Sequence, residues 1–340
     1  MGEAILKNKT TLSGGKVAAK TQLMLKPVIK LRFQNGLLFK NFKKEVFDIA
    51  QLSDLYQFEE SGEPDFVIFG PYGNDIPAKG NYTRIGYFCE NIKPDLSICE
   101  WAFGVPHEDE VKSANYKRIQ WHGTNPQDLI KPDDFDAEKI MASKTRFCNF
   151  LYSHKVPYRE EFFRQLSKYK KVDAPGKSMN NMESIDQLYT GDVWQRKRQF
   201  LCEYKFTIAF ENDIFPGYQT EKLYDAMMSN SIPIYCGDPF VGDIFNTSSF
   251  INAAEYLPHK NQGIVSLLGK TGQMDFEDIL PTFLKSPKHR IKRKVKYWMR
   301  EYKTRLQFKN MDFSPLIDRI IELDTKPELY MQYLKQPWLT

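Results

Sequence analysis

Residues 205 to 237 constrain the fold more than any other stretch of this chain. Lys205 to Phe210 is an apolar run of strand length, and Glu211 to Gln219 is rich in turn residues, with Pro216 and Gly217. Thr220 to Asn230 carries Leu223, Ala226 and Met227 at helical spacing, and Ile232 to Cys236 is a second apolar run that stops at Gly237. A strand, a helix and a strand in so short a span read as a βαβ crossover between parallel strands. Such a unit sets a helix N-terminus beside the carboxyl edge of a sheet, where nucleotide phosphates bind.

The N-terminal half repeats the theme. Strands are expected at Val28 to Phe33, Asp65 to Gly70, Arg84 to Phe88, Ile98 to Phe103 and Arg118 to Trp121, each bounded by Gly, Pro or Asn. Phe42, Val46, Ile49 and Ala50 share one face of an expected helix over Asn41 to Leu52. Gly123 to Asp136, with Pro126, Pro132 and four Asp, reads as a link. Beyond it, Phe147 to Tyr152 is an expected strand, and Tyr158 to Lys170 a helix with Phe162, Phe163, Leu166 and Tyr169 inward. The expected fold class is therefore α/β, with paired Rossmann-like domains facing one cleft. The expected boundaries are 1–140, 141–310 and a helical segment 311–340 that packs back on the N-terminal domain.

Composition narrows the function classes. Five cysteines, Cys89, Cys99, Cys148, Cys202 and Cys236, are odd in number and form no C-x-x-C pair. Free thiols in a reducing compartment fit better than a zinc ribbon or a disulfide framework. No apolar run reaches transmembrane length, and Met1 to Lys26 lacks the apolar middle of a signal peptide. A cytoplasmic protein is expected, and the sequons at Asn8, Asn81 and Asn246 then carry no meaning. Asp134-Phe135-Asp136 has a metal-binding look but is read as linker and helix cap. The five histidines, His107, His122, His154, His259 and His289, show no paired ligand spacing.

Three segments hold candidate chemistry. Thr220 sits where a helix cap belongs, with Glu221 and Lys222 in the first turn, so backbone N–H groups and a full cation converge on an anion site. Arg159 follows Pro157 at the entry of the next helix upstream and would aim its planar fork at the same sheet edge. Glu90 ends an apolar strand, where desolvation raises a carboxyl group towards what a general base needs. Taken singly, each has a plain reading. Glu221 complements a helix dipole, Arg159 pairs with Glu160 or Glu161 at the surface, and Glu90 caps a loop beside Asn91.

Taken together, FCENIKP, DLSICEWAFG, FLYSHKVPYREEFF and FENDIFPGYQTEKLYDAMMSNSIPIYCGDP, in that order, resemble the α1,3/4-fucosyltransferases of glycosyltransferase family 10, especially the bacterial Lewis-antigen enzymes. The resemblance spans roughly residues 60 to 255. It implies a GT-B fold with an acceptor-binding N-terminal half and a half that binds GDP-fucose. It further implies Glu90 as general base, Arg159 and Lys222 as phosphate-binding cations, and Asn212, Tyr218 and Glu221 as donor contacts, Glu221 towards the ribose diol. The acceptor implied is the hydroxyl, the 3-OH first, of N-acetylglucosamine in an N-acetyllactosamine-type glycan. No cofactor or resident metal is required, with stimulation by Mn2+ or Mg2+ left open. The rival readings are a GT-B transferase for another nucleotide sugar and a non-enzymatic nucleotide- or RNA-binding protein.

The net charge of +5 is uneven. Lys285 to Arg305 holds ten Lys/Arg against Glu301 alone, a local +9 that leaves the rest of the chain at −4. Ile291, Val295, Trp298 and Tyr302 recur there by threes and fours, an amphipathic cationic helix. It suits an anionic membrane surface, peripheral on the inner face, or equally a helix packed on the donor domain with a solvated charged face. Nucleic acid is not expected as a partner, because no reading module accompanies the charge.

Overall fold

The computed structural model describes residues 26–257, 262–279, 286–309 and 311–340. The opening segment to Leu25 with Asn8, as well as His259 and Lys285, lies outside the described residues. Two large parallel sheets dominate the fold, with a two-stranded parallel pair of Ile92–Lys93 and Met274–Asp275 beside them. The first holds β1 (Val28–Gln34), β2 (Gln57–Glu60), β3 (Phe66–Phe69), β4 (Thr83–Phe88), β5 (Trp101–Gly104) and β6 (Tyr116–Arg118), in the order β2-β1-β3-β4-β5-β6. The second holds β7 (Arg146–Asn149), β8 (Val172–Asp173), β9 (Tyr204–Phe210), β10 (Ile232–Cys236) and β11 (Ile251–Asn252), in the order β11-β10-β9-β7-β8.

In both sheets the chain lays one neighbour on one side and then crosses to the other, giving a switch point between β1 and β3 and another between β7 and β9. Crevices open at the carboxyl ends of strands at such points, and ligands bind there. The central strand β9 is buried on both faces, as its near-continuous apolar sequence requires of a parallel strand. In the second half the helices that matter for the site are α1 (Pro157–Leu166), α2 (Val193–Cys202) and α3 (Glu221–Met228). Pro157 opens α1 at the position where a missing N–H costs nothing.

Four expected strands shift or shorten at their ends, to Phe66–Phe69, Trp101–Gly104, Tyr116–Arg118 and Arg146–Asn149. The expected helix over Asn41 to Leu52 is broken into short turns, because Val46 leaves helical angles (φ −125°, ψ 49°). Asp48, just past the break, accepts hydrogen bonds from the backbone N–H groups of Gln120 and Trp121. The four apolar residues expected to face inward there are still buried.

The largest correction concerns the chain's end. After α4 (Gln262–Gly272) and α5 (Pro287–Phe308), α6 (Ser314–Thr325) and α7 (Pro327–Lys335) pack mainly on the second sheet, while Lys131, within the expected 1–140, donates to the Leu334 and Gln336 carbonyls. Leu316, Ile320, Leu323, Tyr330 and Leu334 join one core with Cys148 and Phe206. Asp324 holds Lys170 and, at 2.9 Å, Lys205, so opposite charges reinforce the apolar contact. The basic helix α5 also departs from a simple amphipathic picture. Lys296 and Lys303 turn inward to Asp275, Asp278 and Asp213, while Ile291, Val295, Trp298 and Tyr302 are exposed. Among the described residues, no helix is long and apolar enough to cross a membrane.

Candidate functional site

Glu90, Arg159, Asn212, Tyr218, Glu221 and Lys222 line one cavity of about 900 Å3 between the two sheets. One of its walls is built where β9 runs out. Glu211 is fully buried, and its carboxylate accepts from the Thr220 N–H at 2.8 Å, the Thr220 hydroxyl at 2.8 Å and Lys222 Nζ at 3.1 Å. Burial pushes this carboxyl above the ordinary range, and the Lys222 charge and Thr220 bonds oppose the push. Thr220 is thus the N-cap by position only. Its hydroxyl serves Glu211, and no side chain of the cap residue takes up the first N–H groups of α3. Lys222 Nζ rests 2.7 Å from the Thr220 hydroxyl, held over the helix start.

Arg159 sits deeper than a surface arginine would. Only 1% of it is exposed. Its guanidinium lies 3.9 Å over the Tyr152 ring, and it donates to Asn212 Oδ1 at 2.8 Å and to the His154 carbonyl at 2.9 Å. Arg164, not Arg159, makes the pairs with Glu160 and Glu161. Among the described residues no carboxylate pairs with Arg159, and its Nε has no hydrogen-bond partner. A buried, uncompensated charge is costly, so a cleft wall that keeps one is built for an anion.

Glu221 lies 3.7 Å from both Lys197 and Lys222. Burial works to raise its carboxyl, but those two cations hold it below the ordinary range, so it is an acceptor suited to a vicinal diol. Tyr218 is pushed far up by burial, with the Glu211 and Glu90 charges adding to the rise. Glu90, just past the end of β4 in the first sheet, and Tyr218 line the same cavity.

Tyr72, which sequence reasoning missed, donates its phenolic O–H to Glu90 Oε1. It stands on the loop after β3, at the switch point of the first sheet, and that loop is pinned by Asn35, whose amide donates to Gly70 O at 2.8 Å and accepts from Asp75 N at 2.9 Å. Cys89 beside the site is pushed up to about 12 by burial and by the Glu90 charge, so its thiol stays protonated. Lys44, Trp194 and Lys197 complete the rim, with Lys44 Nζ 5.7 Å from the Trp194 ring across the cleft. Asp136 of the D-x-D string caps a short helix by accepting from Lys139 N at 2.9 Å, in line with its reading as a cap. The cysteines described are all free. The arrangement can hold a phosphate-bearing nucleotide against one wall and set a carboxylate against the other.

Comparison with known proteins agrees with that chemistry. The family model for the C-terminal part of glycosyltransferase family 10 (fucosyltransferase) matches residues 141–270. The α-(1,3)-fucosyltransferase FucT of Helicobacter pylori is 27% identical over 256 residues, 64% of this chain and 51% of that protein. A putative fucosyltransferase, R654, of Acanthamoeba polyphaga mimivirus is 37% identical over 145 residues, 40% of this chain and 22% of that protein. GDP-fucose protein O-fucosyltransferase 3 of Xenopus laevis is 34% identical over 88 residues, 25% and 19% of the two chains. The chain thus spans about half or less of the length of these relatives. A crystal structure of an α1,3-fucosyltransferase with GDP-fucose superposes with a TM-score of 0.59 at 23% identity, covering 96% of this chain and 86% of that one. This likeness establishes the fold as GT-B.

Proposed function

We propose, from the premise that this chain belongs to glycosyltransferase family 10 through residues 141–270, that it transfers L-fucose from GDP-β-L-fucose to the 3-OH of N-acetylglucosamine in a lactosamine-type glycan, with inversion. The buried Arg159, which no carboxylate among the described residues pairs with, carries this reading. As the bond between fucose and diphosphate breaks, negative charge grows on the leaving group. Arg159, Lys222 and the open start of α3, which share one cavity, stabilise it there. Glu221 takes the ribose hydroxyls, and Asn212 and Tyr218 line the path between. The sugar gains oxocarbenium character, and the acceptor hydroxyl attacks from the face opposite the diphosphate. Glu90, steadied by Tyr72, takes the hydroxyl's proton as the new bond forms. One displacement at the anomeric carbon turns a β-linked donor into an α-fucoside, with no covalent enzyme intermediate.

The test is incubation with GDP-fucose and N-acetyllactosamine, with products identified by mass and by NMR linkage analysis. An α1,3-linked fucose on the N-acetylglucosamine is expected. Hydrolysis alone, or turnover of UDP-sugars in preference, rejects the reading. A protein hydroxyl as the only acceptor, as the name of the Xenopus relative states for that protein, corrects the acceptor and leaves the donor standing.

The exposed face of α5 supports peripheral attachment to an anionic membrane. Trp298 and Tyr302 stand in solvent beside Ile291 and Val295, with Lys288, Arg293 and Lys294 exposed around them. Aromatic and basic side chains together suit the headgroup layer, each cation near an anionic surface contributing about 1 kcal/mol. Sedimentation with phosphatidylglycerol vesicles is expected, falling with added salt and with Trp298→Ala. Equal sedimentation with neutral and anionic vesicles counts against this attachment.

A further inference from the structure

Asp238 lies outside the residues that touch a donor in the mechanism above, yet it accepts four hydrogen bonds at the junction of the two domains. It follows β10 in the second domain, and its side chain is fully buried. Its two oxygens do different work. Oδ1 accepts from the backbone N–H groups of Gly217 at 2.7 Å and Phe240 at 2.9 Å. Oδ2 accepts from Gln219 Nε2 at 2.7 Å and from Arg118 Nη2, and Arg118 closes the last strand of the other sheet. The buried pair therefore joins the end of β6 to the two residues that flank Tyr218.

The backbone makes the same connection. Gly217 has φ +92°, and a Cβ there would stand 2.3 Å from the Val105 carbonyl oxygen and 2.7 Å from His107 N, both in the first domain. The donor loop thus presses its bare backbone against the loop after β5, where His107 N donates to the Pro216 carbonyl at 3.2 Å. His107 in turn stacks on Phe240, with ring centroids 4.2 Å apart. Only glycine accepts that angle and that approach at once. Tyr218, which lines the cleft, is held from both sides by groups that belong to, or are anchored on, the opposite domain.

We propose that Arg118 and Asp238 are a positioning pair that sets the loop Gly217–Gln219, so that affinity for the donor nucleotide depends on the contact between the domains. The proposal rests on reading this loop as part of the donor site. Neither side chain touches the reacting atoms; both act through the loop. By linkage, whatever the contact contributes to nucleotide binding, the nucleotide returns to the contact.

Arg118→Met and Asp238→Asn test it on the full chain, using GDP itself as the probe. Removing the Arg118 fork leaves the Oδ1 bonds to the donor loop in place. In Asp238→Asn, an amide N–H₂ faces donors it cannot accept from. GDP affinity by calorimetry is expected to fall about tenfold in each variant, and by no more than the worse of the two when they are combined. The KM for donor should rise while the KM for the glycan acceptor stays within twofold, and Arg118→Lys should recover GDP affinity to within threefold of wild type. A residue that merely supports folding would lower kcat and the thermal midpoint and leave the donor KM alone, and that pattern overturns the proposal. GDP affinity within twofold of wild type in both single variants overturns it as well. If Asp238→Asn does not fold, Arg118→Met and Arg118→Lys decide the matter alone. Wild-type protein with no measurable GDP affinity removes the donor reading and this pair with it, whereas firm wild-type binding unchanged by the variants removes only the pair.

Discussion

Glu90→Gln lowers kcat by about 10² to 10⁴, the range over which general bases act, and leaves GDP affinity within about threefold. The substitution is nearly isosteric, and its amide oxygen still accepts from Tyr72, which now bonds to the carboxylate. Loop geometry is therefore kept and only the proton acceptor is lost. Two neighbours are unfit for the task. The Cys89 thiol is held up at about 12 and is protonated at neutral pH, and the Tyr218 phenol is pushed higher still. Steady-state transfer together with calorimetric titration of GDP checks both halves of the expectation. Transfer at the wild-type rate removes Glu90 from the chemistry, and a large loss of GDP affinity relocates it to the donor site.

How much of this was legible beforehand depended on the distance over which each contact is made. The crossover from Lys205 to Cys236 was readable because a parallel strand buried on both faces must be apolar throughout, and the helix that follows must show a single apolar stripe. Thr220, Glu221 and Lys222 came with its helix start, whereas Asn212 and Tyr218 came from the family resemblance. Arg159 could be placed at a helix entry, but only the fold reveals that it stacks on Tyr152, with no acid paired to it among the described residues. Tyr72 was hidden because the pin that brings its loop to Glu90 is Asn35, a residue in left-handed conformation (φ +52°) whose amide spans to Gly70 and Asp75. Nothing in local periodicity records such a reach. In α5 the spacing revealed which residues share a face but not which face docks. That was settled by Asp213, Asp275 and Asp278, distant in sequence, which draw Lys296 and Lys303 inward. Asp324 did the same for the chain's end by meeting Lys170 and Lys205 on the second sheet.

Lys222→Ala produces two losses that a second substitution separates. The first is affinity for GDP. A charge-assisted hydrogen bond to phosphate contributes roughly 1.5–3 kcal/mol, so the dissociation constant rises about 10- to 150-fold. The second is stability, because Glu211 is left buried with the Thr220 N–H and hydroxyl as its remaining partners. Breaking one side of a buried pair costs about 3–5 kcal/mol, seen as a lower midpoint in chemical denaturation. Adding Glu211→Gln to Lys222→Ala removes the orphaned charge, and much of the lost stability returns. GDP affinity stays low, since no cation has been restored at the start of α3. Were affinity to recover along with stability, Lys222 would be a structural partner of Glu211 and nothing more, and the grip on the diphosphate would fall to Arg159 and the helix N–H groups alone.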